Sequence, residues 1–172
     1  LIGTGDLGGT LAIDGFAPIT FDHFATDDLN AIVLNGLGGD DSYSIDHFGD
    51  WSFSDVTVNA GAPAGSDSVH LTGTDGDDVF VYDPEMSNAG VLALTAAGET
   101  TTYDLNGVES LGIDGLGQDV DDTLTVNDSD AVIEQGFAPG SGRVTATDMF
   151  GQLLLPIDYV GVEAVEVVDD TP

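Results

Sequence analysis

The stretch Ala31-Ile32-Val33-Leu34-Asn35-Gly36-Leu37-Gly38-Gly39-Asp40-Asp41-Ser42-Tyr43-Ser44-Ile45-Asp46 decides the fold class. An apolar, β-branched run enters a turn rich in glycine and aspartate, and an alternating run leaves it. Period-two alternation over four to six residues marks a strand with one buried face. Gly supplies the positive-φ conformations that turns need, and Asp bonds its short carboxylate to nearby backbone N–H groups. The same grammar recurs at residues 10–13, 56–58, 68–71, 79–82, 91–94, 123–126 and 164–168. No segment of helical length carries a convincing 3.6-residue period. The expectation is an all-β chain.

Composition agrees and excludes several functions. The 172 residues include 26 Asp and 6 Glu against one basic residue, Arg143, for a formal net charge of −31. Hydrophobic residues make up 41%, too many for a disordered acidic tail. Asp favours caps and turns where Glu favours helices, so the ratio again argues against helix. Nucleic acid is excluded as a partner because no cationic surface exists to displace counterions from phosphates. An anionic membrane surface is excluded for the same reason. No apolar run approaches the length of a membrane-spanning helix, so no membrane insertion is expected. With no Cys, disulfide stapling is impossible. The chain opens at Leu1 rather than Met, as a processed piece or a fragment would.

The chain also repeats itself. Paired aspartates stand at Asp40-Asp41, Asp77-Asp78, Asp121-Asp122 and Asp169-Asp170, with spacings of 37, 44 and 48 between the second members. We read residues 1–172 as a single repeat module of about four ~40-residue units, since a recurring period of this size signals an array or solenoid. The last pair stops where a strand is due, and the first residues supply one. The expectation is that the module is in phase with itself, as one unit of a longer tandem chain or of a head-to-tail polymer; an arbitrary boundary is the competing reading.

At Gly36-Leu37-Gly38-Gly39-Asp40-Asp41-Ser42-Tyr43 the chain resembles the glycine- and aspartate-rich calcium repeats of secreted RTX-type proteins, as a degenerate GGxGxDxUx. Gly73-Thr74-Asp75-Gly76-Asp77-Asp78-Val79-Phe80 is a second variant. Gly115-Leu116-Gly117-Gln118-Asp119-Val120-Asp121-Asp122-Thr123-Leu124 is a third, longer by two residues. The whole pattern is similar to the long repetitive surface proteins of environmental bacteria, commonly read as parallel β-helices. One departure matters: RTX repeats are contiguous nonapeptides, whereas these motifs lie about 40 residues apart.

Calcium takes six to eight hard oxygens from carboxylates, carbonyls and water. The turns offer them at Asp40 and Asp41; at Asp75, Asp77 and Asp78; and at Asp119, Asp121 and Asp122. Asn35 and Asp114 stand just before the Gly of their turns, and Asp169 and Asp170 close the series. These twelve residues are the expected Ca2+ ligands. Ordinary Asp-Gly turn chemistry is the competing reading. A high-salt habitat is a rival explanation of the acidity, but it would spread acids over every exposed face rather than gather them at turns.

Catalytic constellations are sparse. His23, His47 and His70 have no metal-ligand spacing, there is no nucleophile elbow, and only Arg143 could meet an acidic sugar. No enzyme is expected. The aromatic group Phe48, Trp51 and Phe53 fills a core or stacks on sugar rings. The reading is an extracellular or cell-surface scaffold module, a calcium-stabilised parallel β-helix (β-solenoid) stacking on copies of itself head to tail. A β-sandwich tandem is the alternative fold. An adhesin or carbohydrate-binding module with glycans as partner is the alternative function.

Overall fold

The structure, a computed structural model, describes residues 2–3, 9–11, 19–21, 31–47, 53–61, 66–116, 121–128 and 130–168, with side chains described from residue 31 onward. Every regular element among them is a strand. They are β1 (Ile2–Gly3), β2 (Gly9–Leu11), β3 (Ile19–Phe21), β4 (Ala31–Asn35), β5 (Ser42–Asp46), β6 (Asp55–Asn59), β7 (Ser68–Thr72) and β8 (Asp78–Met86). They continue as β9 (Ala89–Ala96), β10 (Glu99–Asn106), β11 (Ser110–Asp114), β12 (Thr123–Asn127), β13 (Val132–Gln135), β14 (Gly142–Thr145), β15 (Ile157–Val160) and β16 (Ala164–Val168).

The strands form two sheets. One has nine strands in the order β13-β14-β15-β11-β7-β5-β1-β2-β3, and the other has seven in the order β16-β12-β8-β9-β10-β6-β4. From β4 to β8 the chain alternates between the sheets, so each return to a sheet lies parallel to the strand before last. The parallel ladders are β1·β5·β7·β11·β15 in one sheet, with β4·β6·β10 and β8·β12·β16 in the other.

The expectation of an all-β chain holds, and that of a parallel β-helix holds only in this coarser form, because both sheets are mixed. The strands β8, β9 and β10 run antiparallel, as do β13, β14 and β15, and β1, β2 and β3. The physical reason sits in the connections. Ala97 and Gly98, both with positive φ (51° and 86°), make a two-residue hairpin turn. Such a turn joins only antiparallel neighbours, whereas a parallel return needs a longer crossover.

Alternation places the core. On one sheet Tyr43, Val69, Leu111 and Ile157 share a row, as do Ile45, Leu71, Ile113 and Tyr159. On the other, Ile32, Val56 and Tyr103 align, as do Leu34, Val58 and Leu105, and Phe80 with Leu124. These rows meet in one apolar cluster, each buried Leu or Phe contributing roughly 1.5–3 kcal/mol over an exposed one. A one-residue slip would turn every row to solvent, so register is strongly specified.

Candidate carboxylate columns

The parallel ladders stack the residues that enter each strand. Ser42, Ser68 and Ser110 are register partners, so Asp41, Asp67 and Glu109, each one residue earlier, form a column. In the other sheet Val79 partners Thr123 and Thr123 partners Ala164, which stacks Asp78, Asp122 and Glu163.

The two columns are wired alike. The Asp41 N–H donates to Asp67 Oδ1 (2.7 Å) and the Asp67 N–H to Glu109 Oε2 (2.9 Å). In the second column the Asp78 N–H donates to Asp122 Oδ1 (2.8 Å) and the Asp122 N–H to Glu163 Oε2 (2.9 Å). Asp67, Glu109, Asp122 and Glu163 thus each accept the strand-entry N–H of the rung before, a donor that would otherwise be orphaned in the turn. Both columns end in Glu, whose extra methylene lets the last rung reach back.

One oxygen of each inner group is then left over. Asp67 and Asp122 are both 0% exposed. Among the described residues, Asp41 Oδ2, Asp67 Oδ2, Glu109 Oε1, Asp122 Oδ2 and the Tyr43 hydroxyl are buried without a hydrogen-bond partner. Asp78 differs: its oxygens accept the Thr74 N–H (2.6 Å) and hydroxyl (2.9 Å). No side chain of opposite charge compensates the columns, because the single basic residue, Arg143, pairs with Asp158 at 3.6 Å on the surface.

Energetics make this arrangement demanding. Strands lie about 4.8 Å apart, and two carboxylates at that separation repel by roughly 3 kcal/mol at an effective dielectric constant near 20. Burial pushes Asp122 up to about 6, with the charges of Asp78, Glu163 and Asp77 adding to the rise. Burial also raises Asp78, against the opposing pull of its Thr74 hydrogen bonds. Tyr43 is raised by burial and then by the charges of Asp41 and Asp67. A counter-charge from solvent, either a proton or a metal cation, relieves each of these.

Backbone oxygens complete the setting. The space beside Gly36 where a side chain would begin is taken by Asp41 Oδ2, the Tyr43 hydroxyl and the Ala60 carbonyl. Beside Gly115 the same space is taken by the Gly161 carbonyl and Asp122 Oδ2. Only glycine lets these oxygens approach so closely. In both turns the next residue is a leucine with positive φ, Leu37 at 73° and Leu116 at 58°. Carboxylate, carbonyl and hydroxyl oxygens are the donors that calcium prefers, so the residues fit that ion. No three His, Asp or Glu side chains among the described residues converge on one point; the acids are strung along columns instead.

The expected ligands divide accordingly. Asp41, Asp78 and Asp122, the second member of each pair, lie in the columns. Asp40, Asp75, Asp77 and Asp121 are exposed, and Asp77 Oδ1 accepts the Asp121 N–H at 3.3 Å. Asn35 is exposed and accepts from Asn59 Nδ2 (3.0 Å), while Asp114 caps the Leu116 N–H (2.8 Å). Asp119, Asp169 and Asp170 lie outside the described residues, as do Phe48 and Trp51, whereas Phe53 is buried in the core. Sequence reasoning missed Asp67, Glu109 and Glu163. The signal was present as an acid opening each alternating run, in Asp67-Ser68-Val69, Glu109-Ser110-Leu111 and Glu163-Ala164-Val165.

No family model, no curated protein and no solved structure matches the chain.

Proposed function

We propose that this chain is an extracellular structural module of a surface scaffold, with strand-entry carboxylate columns that bind calcium and an open sheet that joins copies head to tail. One observation carries the reading: buried carboxylate oxygens without a hydrogen-bond partner are stacked at Asp41, Asp67 and Glu109 in one column, with a further one at Asp122 in the other, and no basic side chain compensates them. Removing one partner from a buried charge costs about 3–5 kcal/mol, so a fold that buries these acids calls for a counter-ion. The donor oxygens are hard and include turn carbonyls, which favours calcium over softer metals. Asp41, Asp67 and Tyr43 with the Ala60 carbonyl would hold it in one column, and Asp122 with the Gly161 carbonyl in the other. The bound ion would supply positive charge to the columns and tie successive rungs together.

The likeness of the turns to RTX-type repeats is consistent with this reading and with a solenoid description of the parallel ladders. Thermal unfolding in 5 mM CaCl2, against chelator with NaCl at matched ionic strength, tests it. A calcium-specific rise in Tm is expected from linkage, at about 2.7 kcal/mol when free ion is 100 times Kd. Equal Tm in the two buffers would overturn the calcium part.

A further inference from the structure

Among the described residues, both ends of the seven-stranded sheet are open edges. The sheet begins at β16 and ends at β4, each parallel to its neighbour, whereas the nine-stranded sheet ends on antiparallel strands, β14-β13 and β2-β3. The two bare edges run in the same direction. The strand β16 is parallel to β12 and β8, and β4 is parallel to β6 and β10; the antiparallel pairings β8·β9 and β9·β10 make β8 and β10 parallel to each other.

The hydrogen-bonding phases of the two edges also match. The Ala164 N–H donates to the Asp122 carbonyl (3.2 Å), so Ala164, Glu166 and Val168 face β12 with their backbone groups. Val165 and Val167 therefore present N–H and C=O to the open side. The Gly36 N–H donates to the Asn59 carbonyl (2.9 Å), so the even-numbered residues of β4 face β6. Ala31, Val33 and Asn35 present theirs to the open side. In a parallel pair, a residue bonded on both sides sits opposite one whose two neighbours do the bonding. Val165 opposite Ile32 and Val167 opposite Leu34 satisfies that rule on both strands.

Side chains agree with the same register. Val165 and Val167 are half-buried and continue the inward rows of Leu124 and Val126, while Ile32 and Leu34 continue those of Val56 and Val58. On the outer face Glu166 meets Val33, so no like charges stand opposite each other. A cleft of about 710 Å³ lies at the β16 end, lined by Ile133, Tyr159, Val162 and Val165 among others. Its lining also includes Gln135, Ser141 and Glu163, so the space beside the incoming strand is largely polar.

We infer that β16 of one copy pairs in parallel with β4 of the next, with Ala164–Val168 set against Ala31–Asn35. This deepens the scaffold reading above and rests on it. The bonds formed are Val165 N–H to the Ala31 carbonyl, Val33 N–H to the Val165 carbonyl, Val167 N–H to the Val33 carbonyl and Asn35 N–H to the Val167 carbonyl. The junction is heterologous, because one end of the chain meets the other and the operation repeats without closing. A net charge of −31 on each copy makes assembly dependent on cations.

Sedimentation velocity across a hundredfold concentration range, in 5 mM CaCl2 and separately in 1 M NaCl with chelator, reads the assembly. The wild type should give a ladder of linear oligomers. Val167→Pro and Val33→Pro each remove one outward donor without touching the protein's own ladder, and each alone should stay monomeric. Mixed, they should give a 1:1 dimer and nothing larger, since one good β16 and one good β4 remain. The Glu166→Cys/Val33→Cys double variant should oxidise into reducible oligomers, at least tenfold faster than Glu166→Cys/Asn35→Cys, and covers the case in which a proline variant does not fold. A monomeric wild type under both conditions, no dimer on mixing, or equal cross-linking of the two cysteine pairs would overturn the inference. Oligomers in NaCl without a calcium-specific Tm rise would sink the calcium reading alone.

Discussion

The backbone N–H of Asp78 donates to Oδ1 of Asp122, 44 residues further along the chain, at 2.8 Å. The same link joins Asp41 to Asp67 across 26 residues. A strand-entry carboxylate therefore does two things at once. It satisfies the turn of the preceding rung, and it sets a negative charge one strand spacing from the next. Those roles separate on substitution.

Asp67→Asn keeps an oxygen to accept the Asp41 N–H and removes the charge. In chelator it should raise Tm by a few degrees through lost repulsion, and in calcium it should shrink the metal-induced rise. Asp67→Ala leaves the Asp41 N–H without its acceptor and should cost about 1–3 kcal/mol in either buffer. Paired calorimetric melts of the two variants check both statements.

Acidity should stabilise the metal-free protein over one window. Burial holds Asp122 at about 6, above its ordinary 3.8, and raises Asp78 as well. The folded protein thus binds protons that the unfolded chain releases, so stability is full at low pH and falls as pH rises through about 6. In chelator, the wild type should lose Tm relative to Asp122→Asn between about pH 4 and 6, the interval between the group's ordinary and folded values. A difference between the two Tm curves that stays flat over that range would contradict the assignment.

His47 pulls the other way. It is 3% exposed, shares a 3.0 Å hydrogen bond with the Tyr103 hydroxyl, and is lowered by burial to about 4. Its contribution is present above its ordinary 6.5 and is lost as pH falls through about 4. That loss builds up between about pH 6.5 and 4, against the Asp122 trend, and should be missing from the His47→Gln curve when it is compared with wild type. Tyr103→Phe should cost about 1 kcal/mol near neutral pH by removing the hydrogen bond.

Neighbouring turn residues should respond with opposite signs. Gly36→Ala drives a methyl into Asp41 Oδ2, the Tyr43 hydroxyl and the Ala60 carbonyl, an overpacking that typically costs about 1–3 kcal/mol. Leu37 is exposed and held at a φ of 73°, so Leu37→Gly should be neutral or stabilise by up to about 1 kcal/mol. Denaturant midpoints of the two variants give the comparison.

Much of the strand content was legible because alternation is a local property. Runs such as Ser42-Tyr43-Ser44-Ile45 and Thr123-Leu124-Thr125-Val126 name their buried face without any knowledge of partners. The antiparallel insertion at β9 was less legible, since Ala97-Gly98 is a weaker turn signal than the Asp-Gly clusters around it. The columns were half legible. Asp41, Asp78 and Asp122 stand out in doubled aspartates, whereas Asp67, Glu109 and Glu163 are single acids whose weight comes from which rung they stack on.

By itself the sequence determined an all-β chain, the places where it turns, and an excess of negative charge that no basic residue within it can offset. Those follow from side-chain period, from the conformational freedom of Gly and Asp, and from a count of ionisable groups. Only the tertiary structure decided which acid lies on which, that Asp78 and Asp122 are buried while Asp77 and Asp121 face water, and that β4 and β16 end the described part of their sheet. Strand pairing is a long-range choice, settled by how two sheets bury their apolar rows together, and no short stretch of residues encodes it.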